Sequence, residues 1–221
     1  MRLLSTRTMR TNFKDQLIQS GAFVTEHSFI KVEPISSKVK KVKSNLIFTS
    51  QNAVNFVFES IDIIELIKGK NCFCVGEKTK SLLIEKGLNV LKMTQNASDL
   101  AHFLIKNHKK DSFSFFCGKQ RRQEIETLLE QNKIAIDIQE IYKTSYTSKR
   151  FETRFDGILF FSPSAVSSYF TKNLWDINTH GFCIGSSTAQ ALSQFTSNFS
   201  QAKSPSENQL LLTILQYYAK K

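Results

Sequence analysis

Two stretches of this sequence end a short apolar run on a serine and then continue with small and polar residues: LIFTSQNAV at 46–54 and ILFFSPSAV at 158–166. Two others end on a glycine with a threonine three residues on, FCVGEKT at 73–79 and FCIGSST at 182–188. A third pair, NASDLAHFLI at 96–105 and SPSENQLLLTI at 204–214, has the form of a helix capping box, Asn96 to Asp99 and Ser204 to Glu207. Small and hydroxyl residues in front of a helix let an anion reach unpaired backbone N–H groups and the positive end of the helix dipole. Taken singly, each serine or threonine also reads as a helix cap and nothing more. Their shared spacing is what adds a ligand-binding reading.

That spacing defines the elements. Ser50 to Gly76 is 26 residues and Ser162 to Gly185 is 23; Gly76 to Ser98 is 22 and Gly185 to Ser206 is 21. Three landmarks in one order at nearly equal intervals indicate two copies of one α/β unit. LIF and ILFF suit parallel strands covered on both faces. A helix is expected through Ala53, Val54, Val57, Phe58, Ile61 and Ile64, and another with Ser162 as N-cap and Pro163 at its first position. The landmarks then fall at strand carboxyl ends, where open α/β sheets bind ligands. Two such copies facing one another predict a cleft for a long ligand with several negative groups.

Around the repeat, RLLSTR reads as a strand and Met9, Phe13 and Leu17 as a helix stopping at Gly21. AFVTEHSFIKVEPI reads as an extended connector, 36–45 as a basic crossover, SFSFFCG at 112–118 as a strand, KQRRQEIETLLEQN as a helix with a basic first turn, and IAIDIQEIYKTSYT as a long strand or second connector. Strand and helix 112–131 have no counterpart after the last helix, and residues 2–20 can fill that gap. The expected organisation is a discontinuous α/β domain, 1–30 plus 150–221, an inserted α/β domain, 38–138, and linker strands 31–37 and 139–149 that permit closure about a ligand.

Composition narrows the rest. With 221 residues, 41% apolar and 22% charged, the chain holds one large or two small packed domains. Eight glycines and three prolines exclude collagen-like and proline-rich classes. No apolar run reaches the roughly 18 residues of a membrane span, and MRLLSTRTMR shows no secretory signal. Cys72, Cys74, Cys117 and Cys183 lack CxxC spacing and read as buried thiols of a reducing cytosol, with the two thiols of CFC expected on opposite sides of a strand. Neither a zinc site nor a disulfide framework is expected. Most of the net charge of +11 reads as solvated surface.

The pieces STR (5–7), IFTSQNAV (47–54), VGEKT (75–79), CGKQRR (117–122), IYKT (141–144), FFSPSAV (160–166), IGSST (184–188) and SPSE (204–207) together resemble the uroporphyrinogen-III synthases, in the family's order and over nearly the whole chain. The resemblance implies two flavodoxin-like parallel-sheet domains joined by a two-stranded linker. It also implies cofactor-free cyclisation of hydroxymethylbilane, a linear tetrapyrrole polycarboxylate, to uroporphyrinogen III, with loss of water and inversion of ring D through a spiro intermediate. Carried over by motif, Tyr142 is the tyrosine that assists departure of the hydroxyl; a packed strand tyrosine is the plain alternative. The implied substrate-binding set is Arg7 after the first strand; Thr49, Ser50, Asn52 and Ala53; Gly76 and Thr79; the basic pair Arg121 and Arg122; Ser162, Ser164 and Ala165; and Gly185, Ser187 and Thr188. Thr8 and Ser186 stand where the family often has proline, and ALSQFTSNFS lacks a usual glycine.

The leading expectation is therefore a cytoplasmic, monomeric lyase of tetrapyrrole and heme biosynthesis with a small-molecule substrate, no metal, no cofactor, no membrane and no nucleic acid. The alternative is a non-catalytic two-domain binding protein for an anionic metabolite. Nucleic-acid binding ranks last, because the phenylalanines fall in apolar strand runs rather than among basic residues.

Overall fold

A computed structural model describes residues 1–35 and 39–219. Residues 36–38 and 220–221 lie outside the described residues, and with them part of the expected basic crossover 36–45, the end of linker 31–37, and the extreme residues of both expected domains. The chain divides into two compact units, Met1–Lys31 with Ser145–Lys221, and Val32–Thr144.

In order, the discontinuous unit contains β1 (Arg2–Ser5), α1 (Thr11–Gln19) and β2 (Phe23–Glu26). The strand β3 (Ile30–Pro34) carries the chain across the first boundary. The continuous unit follows with β4 (Asn45–Phe48), α2 (Gln51–Phe58), α3 (Ile61–Ile67), β5 (Asn71–Val75), α4 (Glu77–Glu85), β6 (Asn89–Thr94), α5 (Ala97–Asn107), β7 (Ser112–Gly118), α6 (Glu124–Gln131) and β8 (Ala135–Tyr146). β8 crosses the second boundary, after which come β9 (Gly157–Phe160), α7 (Pro163–Phe170), β10 (His180–Cys183), α8 (Ser186–Leu192), β11 (Phe199–Gln201) and α9 (Glu207–Tyr218).

One sheet has the order β11-β10-β9-β1-β2 and the other β3-β8-β7-β4-β5-β6. Pairs β1–β2, β1–β9, β9–β10 and β10–β11 are parallel in the first, and β4–β5, β4–β7, β5–β6 and β7–β8 in the second. Matching β9, β10, β11, β1 and β2 to β4, β5, β6, β7 and β8 makes the two orders identical over five strands, with β3 as an additional edge strand of the second sheet. The repeat is thus one fold in two circular permutations, and β1 with α1 occupies the place that β7 with α6 holds in the other unit. The fold is α/β, two flavodoxin-like parallel sheets with β3 and β8 as the neighbouring strands through which the chain passes from one unit to the other.

Strand alternation builds two core layers per sheet. Leu46 and Phe48 of β4 pack with α2, α3 and α4, while Ile47 faces α5 and α6. Ile158 and Phe160 of β9 pack with α7 and α8, while Leu159 faces α1 and α9.

Several expectations change. The helix expected through Ala53 to Ile64 is two helices, α2 and α3, broken at Ser60; the phase resets, so that Ile63 and Ile67 are buried and Ile61 is exposed. AFVTEHSFIKVEPI is not one connector: Phe23–Glu26 is a sheet strand and only β3 leads onward. The cap of α9 is Ser206, which accepts from the Gln209 N–H at 3.3 Å, not Ser204. Helix α6 starts at Glu124, so Arg121 and Arg122 precede it, and its first turn carries Glu124 and Glu126. Cys72 and Cys74 share one face, both in the layer under α2 and α4, as a two-residue strand period requires. Other expectations stand: Ser162 caps α7 with Pro163 in its first turn, and Asn96 caps α5, accepting from the Asp99 N–H at 2.8 Å.

Candidate functional site

Parallel strands put the starts of α2, α4, α7 and α8 at the carboxyl edges of their sheets. In the order above, the connections from adjacent strands β4 and β7 leave to opposite faces, and so do those from β9 and β1. Each pair is a topological switch point, the place in an open sheet where a crevice forms. The residues following these four strands are Thr49 and Ser50, Lys119 to Arg122, Phe161 and Ser162, and Thr6 and Arg7. The sheet topology therefore gathers most of the motif residues at one edge of each unit.

In the continuous unit, Ser50 accepts from the Asn52 N–H at 3.1 Å. Ala53 is fully buried beneath it, while Thr49 is half-buried and Asn52 exposed. The Tyr142 hydroxyl faces the Ser50 side chain. Its ring stacks on Phe56 of α2, with centroids 5.7 Å apart and planes 26° from parallel. The Lys119 N–H donates to the Tyr142 carbonyl at 2.8 Å, fixing the end of β7 against β8. Burial raises the Tyr142 phenol above its ordinary value of 10; the nearby Ser50 side chain opposes the shift and Cys117 adds to it. The group is therefore a protonated phenol at neutral pH, able to donate.

Gly76 opens α4 with φ 85°, a conformation that strains any side chain, and no side chain caps that helix. Thr79, in its first turn, is buried. Arg121 is nearly consumed. Its Nε donates to Glu126 Oε1 at 3.0 Å, its Nη1 to Glu140 Oε1 at 2.6 Å, and its side chain is 15% exposed. Burial works against its charge, but the bonds with Glu126 and Glu140 outweigh that and hold it charged. Arg122 beside it is exposed.

The discontinuous unit presents a different set. Ser162 accepts from the Ala165 N–H at 3.1 Å; Ser164 is half-buried and Ala165 buried. Gly185 opens α8, again with no side-chain cap; Ser187 is exposed and Thr188 buried. Arg7 donates from Nη2 to Glu207 Oε1 at 2.5 Å and lies 4.0 Å above the Phe161 ring, its side chain still 45% exposed. A guanidinium held flat yet open on one side is a ready carboxylate fork.

Motif reading missed Phe56, Gly118, Phe161 and Glu207, which touch the singled-out side chains. Glu207 was visible only as part of a capping box, and nothing in the sequence pairs Phe56 with Tyr142. The cysteines offer no nucleophile: burial pushes Cys72, Cys117 and Cys183 up to about 12 and Cys74 up to about 11. Among the described residues, no cluster of His, Cys, Asp and Glu has an arrangement that holds a metal, and no helix is long and apolar enough to cross a membrane.

The sequence model of the family described as Uroporphyrinogen-III synthase HemD matches residues 11–211. No curated protein matches the chain. Among solved structures, the chain is similar to the uroporphyrinogen-III synthetase of Helicobacter pylori, with a TM-score of 0.75 at 16% identity, over 98% of this chain and 100% of that one. A mutant uroporphyrinogen III synthase of the extremely thermophilic bacterium Thermus thermophilus matches with a TM-score of 0.75 at 13% identity, over 100% of both chains. The wild-type Thermus protein in another crystal form matches at 0.56 and 14%, over 100% of this chain and 98% of that one. At such identities the structures speak for the fold, and the family match over most of the length speaks for kinship. The chain belongs to the uroporphyrinogen-III synthase family, and its function is that of an enzyme of tetrapyrrole biosynthesis.

Proposed function

We propose that this chain is a lyase that closes hydroxymethylbilane to uroporphyrinogen III, with loss of water and inversion of ring D, and that it does so without a cofactor as a cytoplasmic monomer. The observation that carries the reading is the Tyr142 phenol at the switch point of the continuous unit, half-buried, protonated and facing Ser50. Ser50 already accepts from the Asn52 N–H, so its own proton is free to point at the Tyr142 oxygen. The Tyr142 proton is then left to donate to the departing hydroxyl of the substrate. The C–O bond breaks, the hydroxyl leaves with a proton as water, and the freed methylene bonds to the substituted α-carbon of ring D to give the spiro intermediate. The bond from that carbon to its original methylene bridge then breaks, the released methylene bonds to the free α-carbon of ring D, and that carbon gives up its proton, so the reaction takes up no net proton and no electrons.

Carboxylate holding falls to the strand-end positions. Arg7 and Arg122 supply charge. The uncapped starts of α4 at Gly76 and α8 at Gly185 supply N–H groups, with Thr49, Asn52, Ser164 and Ser187 as polar rim. Thr79, Thr188, Ala53 and Ala165 pack the helix starts that present those groups, and Ser162 caps α7. Most of the work is orientation: hydroxymethylbilane closes unaided without inversion, and the protein need only hold it so that the inverted route wins. The accompanying domain reading, 38–138 inserted into 1–30 plus 150–221 through connectors 31–37 and 139–149, draws support from unit boundaries inside β3 and β8.

Incubation with freshly made hydroxymethylbilane, followed by oxidation and isomer separation, tests the proposal. The type III isomer in excess of the uncatalysed background is the expected result; type I alone removes the catalytic assignment.

A further inference from the structure

Strict alternation along β8 puts Ile136, Ile138, Glu140 and Tyr142 on one face. Ile136 and Ile138 do face α5 and α6, and Glu140 reaches Arg121 beside them. Tyr142 does not follow. Cys117 pairs with Glu140 and Gly118 with Tyr142, so β8 carries one extra residue, Ile141, at a bulge. Ile141 and Tyr142, although consecutive, both pack in the layer under α2. The bulge is what turns the phenol toward Ser50. Two neighbours then fix it. A Cβ at Gly118 would sit 2.5 Å from Tyr142 Cε2 and 2.7 Å from Cζ, so only a bare backbone lets the ring lie where it does. On the helix side Phe56 covers the ring at 5.7 Å.

We propose that Gly118 and Phe56 are positioning residues for the cyclisation, acting through Tyr142: the Ile141 bulge turns the ring toward α2, and the bare Gly118 backbone and the Phe56 ring hold its hydroxyl at Ser50. The inference rests on the proposed role of Tyr142 and adds the residues that aim it. Its consequence is that Gly118 and Phe56 matter to turnover only while the phenol is there to be aimed.

The test is a pair of mutant cycles on the full chain, Gly118→Ala with Tyr142→Phe and Phe56→Leu with Tyr142→Phe, reading kcat, KM for hydroxymethylbilane, the type III fraction and the melting temperature. In the parent background each positioning substitution is expected to lower kcat between about tenfold and about a hundredfold, with KM little changed. In the Tyr142→Phe background neither should lower kcat further. Phe56→Tyr, which keeps an aromatic face, should restore most of the Phe56→Leu loss. Equal losses in both backgrounds overturn the positioning role while leaving that of Tyr142 intact. Parent-like turnover of Tyr142→Phe instead removes the reading on which it rests. Should Gly118→Ala fail to fold, the Phe56 cycle decides alone.

Discussion

Both units share a strand order, a serine-capped helix after the central strand and a glycine-opened helix after the next, yet they diverge at the switch point. In the continuous unit the fifth strand, β8, is 12 residues long and bulged, and delivers a phenol; the nearest arginine, Arg121, is spent on Glu126 and Glu140. In the discontinuous unit the fifth strand, β2, has 4 residues and pairs with β1 without a register shift. It ends on Glu26, which is turned inward to the Met9 N–H at 2.7 Å and Lys14 Nζ at 2.5 Å. There the arginine, Arg7, is the group left open to solvent. On the proposed reading, one scaffold serves two tasks: a weak acid in one copy, a carboxylate fork in the other. What differs is the length of the fifth strand and how far carboxylates enclose the arginine, two of them around Arg121 and Glu207 alone beside Arg7.

Breaking the comparison should cost most where a buried charge loses its partner. Arg121→Met leaves Glu126, 6% exposed, without its guanidinium and should destabilise the protein by about 3 kcal/mol or more, with KM little affected, as read by chemical denaturation and steady-state kinetics. A KM effect without a stability loss would mean that Arg121 serves substrate instead. Tyr142→Phe should lower kcat by about a hundredfold. Because the Tyr142 pKa is raised, the phenol keeps its proton through its ordinary value of 10, so the alkaline fall in parent kcat should lie above that pH and be missing in Tyr142→Phe. Arg7→Gln should raise KM by about tenfold with kcat nearly unchanged, the scale of one charged hydrogen bond to a carboxylate.

The smallest effect concerns Glu26. Burial pushes its pKa up, but the Lys14 ammonium and the Met9 N–H outweigh that and hold it below the usual 4.5. A carboxyl depressed in the folded state stabilises above its unfolded pKa and loses that contribution as pH falls through the folded one. The gap between parent and Glu26→Gln, at most about 1 kcal/mol at neutral pH, should close below pH 4.5. A gap that persists under acid would assign the effect to packing.

What the sequence made legible was the part that buries most. Continuous runs such as LIF, ILFF and SFSFFCG are two-faced central strands, and the repeat places the first two. Strands β6 and β11 escaped notice because they are sheet edges with mixed burial, and β11 has 3 residues. The α2–α3 break escaped because Ile61 and Ile64 continue the apolar period across Ser60. At the site, the helix caps were readable from residue type, since a cap is local. The contact of Arg121 with Glu140, the Arg7–Glu207 pair separated by 200 positions, and the bulge that turns Tyr142 were not, because each depends on how elements distant in the chain pack or pair rather than on neighbouring residues.

The division of labour between the units is tested most directly by equilibrium binding of uroporphyrinogen III to Tyr142→Phe and Arg7→Gln beside the parent protein. The account predicts parent-like affinity for Tyr142→Phe and about tenfold weaker binding for Arg7→Gln. Equal weakening of both, or loss confined to Tyr142→Phe, would contradict it.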